Sequence, residues 1–276
     1  MKTFILLLSL ASASAVAAPC SERLIPYTTP IEKPEYQLSL ASGAGQLSYF
    51  GARHSSDPAD KQFAEIERQW NAQRPQVAFY EGPNRPLPAG REDAIRQAGE
   101  SGFLRWLAAR DGAELRRLEP DPKDETAHLL KHFSADQVGL FFTLREAARL
   151  RERRNMGEAE ITKAIDQLLE RAAGLGLNAI PFRTSADVAQ AYRRYWQEPA
   201  QWWQAPSRWF DPAAKSADTG GVFTNEVNAQ SSAFRNITMV ERLAAAVREG
   251  KKVFAVVGRD HVSHQADALR CTIATP

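Results

Sequence analysis

Val253-Phe254-Ala255-Val256-Val257-Gly258-Arg259-Asp260-His261 is the stretch that decides the fold. Its first five residues are apolar without interruption and rich in β-branched side chains. A strand of that kind is buried on both faces, which is the environment of a parallel sheet covered by helices. The strand stops at Gly258, and an imidazole comes three residues later.

A counterpart lies near the other end of the chain. Tyr36-Gln37-Leu38-Ser39-Leu40 alternates, Ser42-Gly43-Ala44-Gly45 turns, and Gln46-Leu47-Ser48-Tyr49-Phe50 alternates again. This reads as a hairpin whose second strand runs into Gly51-Ala52-Arg53-His54. Between the two segments, Asp57-Pro58 opens a helix to about Asn71, and Val77-Ala78-Phe79-Tyr80 is a short buried strand ending at Glu81-Gly82-Pro83. A helix over about 91–109 precedes a strand at 114–118 that ends on Glu119-Pro120. Strands alternating with helices predict an α/β fold: a mixed, largely parallel central sheet flanked by helices.

Periodic apolar positions then run from Pro122 to about Tyr195, and Trp196, Trp202, Trp203 and Trp209 cluster in a Pro-rich stretch. Residues 122–212 therefore read as a helical insertion or cap in the middle of the chain, its tryptophans packing the cap onto the sheet. Asn225 to Glu249 reads as one long helix or two joined ones. A short helix over 264–269 and a last strand near Thr272-Ile273 close the chain.

Composition narrows the function. Hydrophobic residues make up 43% and charged residues 25%, with a formal net charge of only +2, so nothing selects for nucleic acid or an anionic membrane. Met1-Lys2-Thr3 is basic, Phe4 to Leu10 apolar, and Ala15-Val16-Ala17 fits a cleavage site. That order reads as a signal peptide over 1–17, and the apolar run is shorter than the ~20 residues of a permanent membrane span. The expected product is a single soluble domain over 18–276, periplasmic or secreted. Cys20 and Cys271 could bridge the two ends in an oxidising compartment, or stand as separate thiols.

Parallel sheets place ligands at the carboxyl ends of their strands. Three expected strands end there in reactive residues: His54, Glu81 and His261. Two imidazoles and a carboxylate suit a divalent transition metal, and they equally suit acid–base work around an activated water. Arg235 lies on the helix before the second motif and could pair with Glu241 or Asp260. His128 and His132 stand four apart on a helix and read as a solvated face. His264 reads as a spare ligand or a surface residue.

Gly51-x-x-His54, the strand ending in Glu81-Gly82, Phe234-Arg235-Asn236-Ile237-Thr238-Met239, and Val256-Val257-Gly258-x-x-His261 together resemble the TraB/GumN–TIKI family, within the erythromycin-esterase/ChaN-like superfamily. That family's pattern pairs two Gly-x-x-His motifs with an early strand-end Glu and an Arg-Asn-x-x-Met helix. All four elements occur here in order. After His261 the chain reads Val262-Ser263-His264-Gln265, where closer members have Leu-x-Gly.

The resemblance implies a metal-dependent hydrolase of a peptide or ester bond. His54, Glu81 and His261 would hold manganese, cobalt or zinc, or polarise its water. Arg235 would act on the oxyanion or a substrate carboxylate, and Asn236 would hydrogen-bond beside it. Esterase members of the superfamily use a His base without metal. ChaN-like members bind haem, so the alternative expectation is a non-catalytic haem- or metal-binding protein on the same scaffold. The partner in the first reading is a peptide or small-molecule substrate.

Overall fold

The strand at 252–258 lies in the middle of a five-stranded sheet. The computed structural model describes residues 19–275 apart from 84, 85, 87 and 175–177, so the expected signal peptide lies outside the described residues. The strands are β1 (Gln37–Ser42), β2 (Gly45–Ala52), β3 (Val77–Tyr80), β4 (Glu114–Arg117) and β5 (Lys252–Gly258), in spatial order β1-β2-β5-β3-β4. Only β1 runs antiparallel, as the hairpin partner of β2; β2, β5, β3 and β4 are mutually parallel. The expected α/β class and largely parallel sheet are therefore present. The last strand in sequence enters between the first two parallel ones, and this puts the ends of β2, β5 and β3 side by side.

Side-chain alternation along β5 explains why it takes the centre. Val253, Ala255 and Val257 face one apolar cluster with Leu47, Tyr49, Val77 and Phe79, closed by helices α8 (Thr224–Arg248) and α9 (Arg259–Ala274). Phe254 and Val256 face a second cluster with Phe50, Ala78 and Tyr80, closed by α1 (Lys61–Gln73) and α2 (Arg91–Asp111). All five side chains are buried. At about 1.5–3 kcal/mol for each large apolar side chain, only a central position captures both rows.

The cap has its own core. It comprises α3 (Pro122–Leu129), α4 (Ala135–Arg154), α5 (Glu158–Gly174) and α6 (Ser185–Tyr192); a short α7 (Ser216–Thr219) then leads to α8. Its apolar cluster takes in Phe223 and Val227 at the start of α8. Trp196 stacks on Trp209, with centroids 5.0 Å apart, and on Tyr192 at 5.2 Å. The tryptophans thus pack the cap internally rather than onto the sheet, because the sheet's two faces are already covered by other helices.

Other boundaries shift for local reasons. α1 starts at Lys61, not at Asp57-Pro58, because the Asp60 side chain accepts from Gln62 N at 3.0 Å and caps it. The chain ends in one helix, α9, rather than a short helix and a strand. Val262, Ala266, Leu269 and Ile273 recur at helical spacing and are buried on the α8 side of the sheet, which outweighs the β-branched Thr272-Ile273 pair. Cys20 and Cys271 are disulfide-bonded. Among the described residues no helix is long and apolar enough to cross a membrane.

Candidate functional site

Both Gly-x-x-His segments open onto one cleft of about 450 Å³, lined by Tyr27, Ala52, Arg53, His54, Gly258, Arg259, Asp260 and His261. It lies at the carboxyl ends of β2 and β5, and Glu81, at the end of β3, contacts its lining residues Gly258 and His261. A larger open depression of about 900 Å³ lies on the cap along α5, between Glu158, Asp166, Glu170 and Arg183, and converges on no reactive group.

The glycines serve close approach rather than an unusual turn. A Cβ on Gly258 would stand 3.1 Å from His54 Nε2, so its absence makes room for that ring. A Cβ on Gly51 would stand 2.7 Å from Arg259 Cα and 2.8 Å from Tyr36 O, so its absence lets β2 pack flush against the start of α9.

Glu81 is the junction. Its Oε2 accepts from Gly258 N at 2.9 Å, placing a carboxylate at the N-terminus of α9, where the helix dipole favours negative charge. Its Oε1 lies 3.1 Å from Arg235 Nη2 and 3.6 Å from His261 Nε2. Burial opposes its ionisation. In the acid range where the carboxyl titrates, protonated His261, the charge of Arg235 and the Gly258 N–H outweigh that and hold the carboxyl well below its ordinary range.

Arg235 bridges two strand ends, since the same Nη2 also lies 2.5 Å from Glu119 Oε1. Its partners are therefore Glu81 and Glu119, not Glu241 or Asp260. Burial works against its charge, and the two carboxylates more than restore it. Glu119 is set in turn by Gly82 N, 2.7 Å from its Oε2. Arg235 Nε is buried without a partner.

His261 is 12% exposed, and its tautomer can be read from its neighbours. Tyr49 Oη donates to Gln265 Oε1 (2.8 Å), and Gln265 Nε2 donates to Asn236 Oδ1 (2.8 Å). Asn236 therefore presents an acceptor to His261 Nδ1 at 2.9 Å, so Nδ1 carries the proton and Nε2 faces Glu81 with its lone pair. Gln265 Nε2 also lies 3.2 Å from Met239 Sδ. The Arg, Asn and Met of the α8 segment thus all address the second motif: Arg235 through Glu81, Asn236 through His261, Met239 through Gln265.

His54 is held differently. It shares the cleft, but its side chain is 67% exposed and its Nδ1 lies 3.8 Å from Glu100 Oε2. Glu100 also accepts from Ser55 N at 2.6 Å and Gln62 Nε2 at 3.2 Å. The neighbouring Glu100 carboxylate raises the His54 pKa against the opposing effect of burial. So Glu81, Arg235 and His261 meet directly, and His54 faces them across the cleft.

In kind, His54, Glu81 and His261 are fitting metal donors. As arranged they are not a closed set. Arg235 lies on the carboxylate oxygen nearest His261, and among the described residues no three His, Cys, Asp or Glu groups stand in metal-holding geometry. Tyr27 lines the cleft beside the two imidazoles.

Several residues of the site carry no mark in the sequence. Tyr27 and Glu100 reach it from segments without a motif. Gln265 has one usable signal, its place one turn beyond His261. His264 is neither ligand nor surface residue: it is 8% exposed with Nδ1 2.8 Å from Ile25 O, and burial lowers its pKa. His128 is not merely solvated, for its ring stacks on Phe234 with centroids 4.4 Å apart. Compared with known proteins, the chain matches no family model, no curated protein and no solved structure.

Proposed function

We propose that the chain is an exported hydrolase that cleaves a peptide or ester bond at the carboxyl end of its sheet, on the plan of the TraB/GumN–TIKI proteins. The observation that carries this reading is His261: Nδ1 is tied to Asn236 and Nε2 opens toward Glu81 in a cleft built by both motifs. A ring held in that way is a general base. Its Nε2 takes a proton from water as the water attacks a carbonyl carbon, Glu81 stabilises the imidazolium that forms, and the same proton passes to the leaving oxygen or nitrogen as its bond to that carbon breaks. Arg235 commits one nitrogen to its two carboxylates and keeps other donors for the oxyanion or for a substrate carboxylate. The convergence of Arg235, Asn236 and Met239 on the second motif supports the family reading. The Cys20–Cys271 bridge supports an oxidising compartment, hence a periplasmic or secreted protein.

Manganese, cobalt or zinc would draw on His54, Glu81 and His261, and would supply an activated water when bound. For that, His54 must turn from Glu100 and Arg235 must release one oxygen of Glu81. Proton transfer to His261 and the Arg235 contact need only the chain's own residues.

The test is turnover of activated esters and of a fluorogenic peptide library by the purified exported chain, with chelator and with each of the three metals, for wild type and His261→Gln. Turnover in wild type that His261→Gln abolishes supports the proposal. If no substrate turns over under any condition, or if His261→Gln matches wild type, it is wrong. A Soret shift on adding haem, in place of turnover, would favour the binding alternative.

A further inference from the structure

The second acceptor at His261 Nδ1 comes from the other end of the chain. Tyr27 Oη lies 2.9 Å from that nitrogen, and the Tyr27 ring meets the imidazole edge-on with centroids 5.9 Å apart. Since Asn236 already fixes Nδ1 as the donor, the Tyr27 oxygen accepts a share of the same N–H. A flip of the imidazole about its Cβ–Cγ bond would forfeit both contacts, so the two acceptors hold one ring orientation where either alone would hold it less firmly.

The segment that delivers Tyr27 has little else to hold it. The 3₁₀ turn Cys20–Arg23 buries no side chain, and Leu24 packs only partly on the sheet core. Besides a hydrogen bond between Tyr27 and Asn236 on α8, its attachments fall on α9. Cys20 is bonded to Cys271, Ile25 exchanges hydrogen bonds with His264 through its N (3.0 Å) and O (2.8 Å), and the Tyr27 ring lies on His264 with centroids 4.2 Å apart. Single hydrogen bonds of this kind contribute about 1 kcal/mol each. The covalent bond is therefore the anchor that makes the others persistent.

We propose that Tyr27 is a positioning residue for His261, and that the Cys20–Cys271 disulfide is the staple that keeps its hydroxyl on the ring, so that the state of the site depends on the state of the disulfide. The inference rests on the reading of His261 as a base, but it can be tested without turnover.

The experiment uses the exported chain with ¹⁵N-labelled histidine. Long-range proton–nitrogen spectra at alkaline pH report the tautomer of His261, with His261→Gln supplying the assignment. Wild type is expected to show the Nδ1–H form alone. Tyr27→Phe keeps the ring on His264 and removes only the hydroxyl, and Cys20→Ser or thiol reduction leaves Tyr27 intact but unanchored. Each should populate the Nε2–H form. For any substrate that is turned over, kcat should fall roughly tenfold or more while KM stays put, the scale seen when a partner orienting a site histidine is lost. Unchanged His261 signals in Tyr27→Phe overturn the positioning role. A change in Tyr27→Phe without one on reduction overturns the staple. If the tautomer shifts but wild type hydrolyses nothing, the hydrolase reading fails and this one stands; turnover with a fixed tautomer gives the reverse.

Discussion

His54 and His261 each stand three residues beyond a glycine at the end of a parallel strand, and the two strands are neighbours in the sheet. Their surroundings nonetheless differ. β5 passes directly into α9, so His261 sits in the first turn of a helix, 12% exposed, with Nδ1 tied down and Nε2 directed at Glu81. β2 passes into an irregular segment before α1, and His54 is 67% exposed against a single carboxylate, Glu100, at 3.8 Å. An identical local pattern yields one imidazole locked by its shell and one free to move. The element that the strand runs into, a helix for His261 and an irregular segment for His54, sets the role of each ring.

The largest effect should come from removing the locked imidazole. His261→Ala is expected to lower kcat by about 10²–10⁴, the contribution of a positioned general base. His54→Ala should cost less than about tenfold, because an exposed ring can be replaced by water. Parallel kinetics on the two variants measure the asymmetry. Equal losses would mean that both rings take part in one step, as a shared metal would require, and the contrast would collapse.

The same asymmetry extends to the glycines. In Gly51→Ala the new methyl would meet backbone, Arg259 Cα at 2.7 Å and Tyr36 O at 2.8 Å, so β2 and α9 must part. A destabilisation of about 1–3 kcal/mol is expected, read as a lower urea midpoint. In Gly258→Ala the nearest atom is His54 Nε2 at 3.1 Å, the tip of a mobile side chain. That ring can swing out, so stability should change by roughly 0.5 kcal/mol or less while the environment of His54 changes. A Gly258 variant as unstable as the Gly51 variant would show that His54 is fixed after all.

Features of this fold are legible in the chain to the extent that local interactions decide them. The buried run 253–257 and the strand ends at His54, Glu81 and His261 are legible, because burial on two faces and strand-end placement leave a mark in adjacent residues. The insertion of β5 between β2 and β3 is not, since strand order is decided by contacts between segments some two hundred residues apart. For the same reason Glu119, beside a proline at a strand end, stands out in the sequence while its pairing with Arg235 does not. Tyr27 has no sequence signal at all: it reaches the site on a segment tied to α9 by a disulfide, itself left open by spacing, and by the Ile25–His264 hydrogen bonds. The end of α9 is legible but ambiguous. Val262, Ala266, Leu269 and Ile273 carry a helical period that the neighbouring β-branched pair obscures.

The smallest effect is the pH dependence, and it has opposite signs at the two motifs. Glu81 is held below its ordinary value of 4.5, so its share of stability is present above that pH and is lost as pH falls through the depressed value. His54 is raised above its ordinary 6.5, chiefly by Glu100, so its share is complete below pH 6.5 and is lost as pH rises through the raised value. Glu100→Gln isolates the second contribution, because the contacts Glu100 makes to Ser55 N and Gln62 Nε2 do not titrate between neutral and alkaline pH. Urea midpoints of wild type and Glu100→Gln should therefore differ most in mildly acidic buffer and draw together as pH rises past 6.5. The gap should also narrow with added salt, since a pair with one partner 67% exposed is screened by water and ions. A gap independent of both pH and salt would mean that His54 makes no ionic contact with Glu100, and the first motif would then be freer still than its geometry describes.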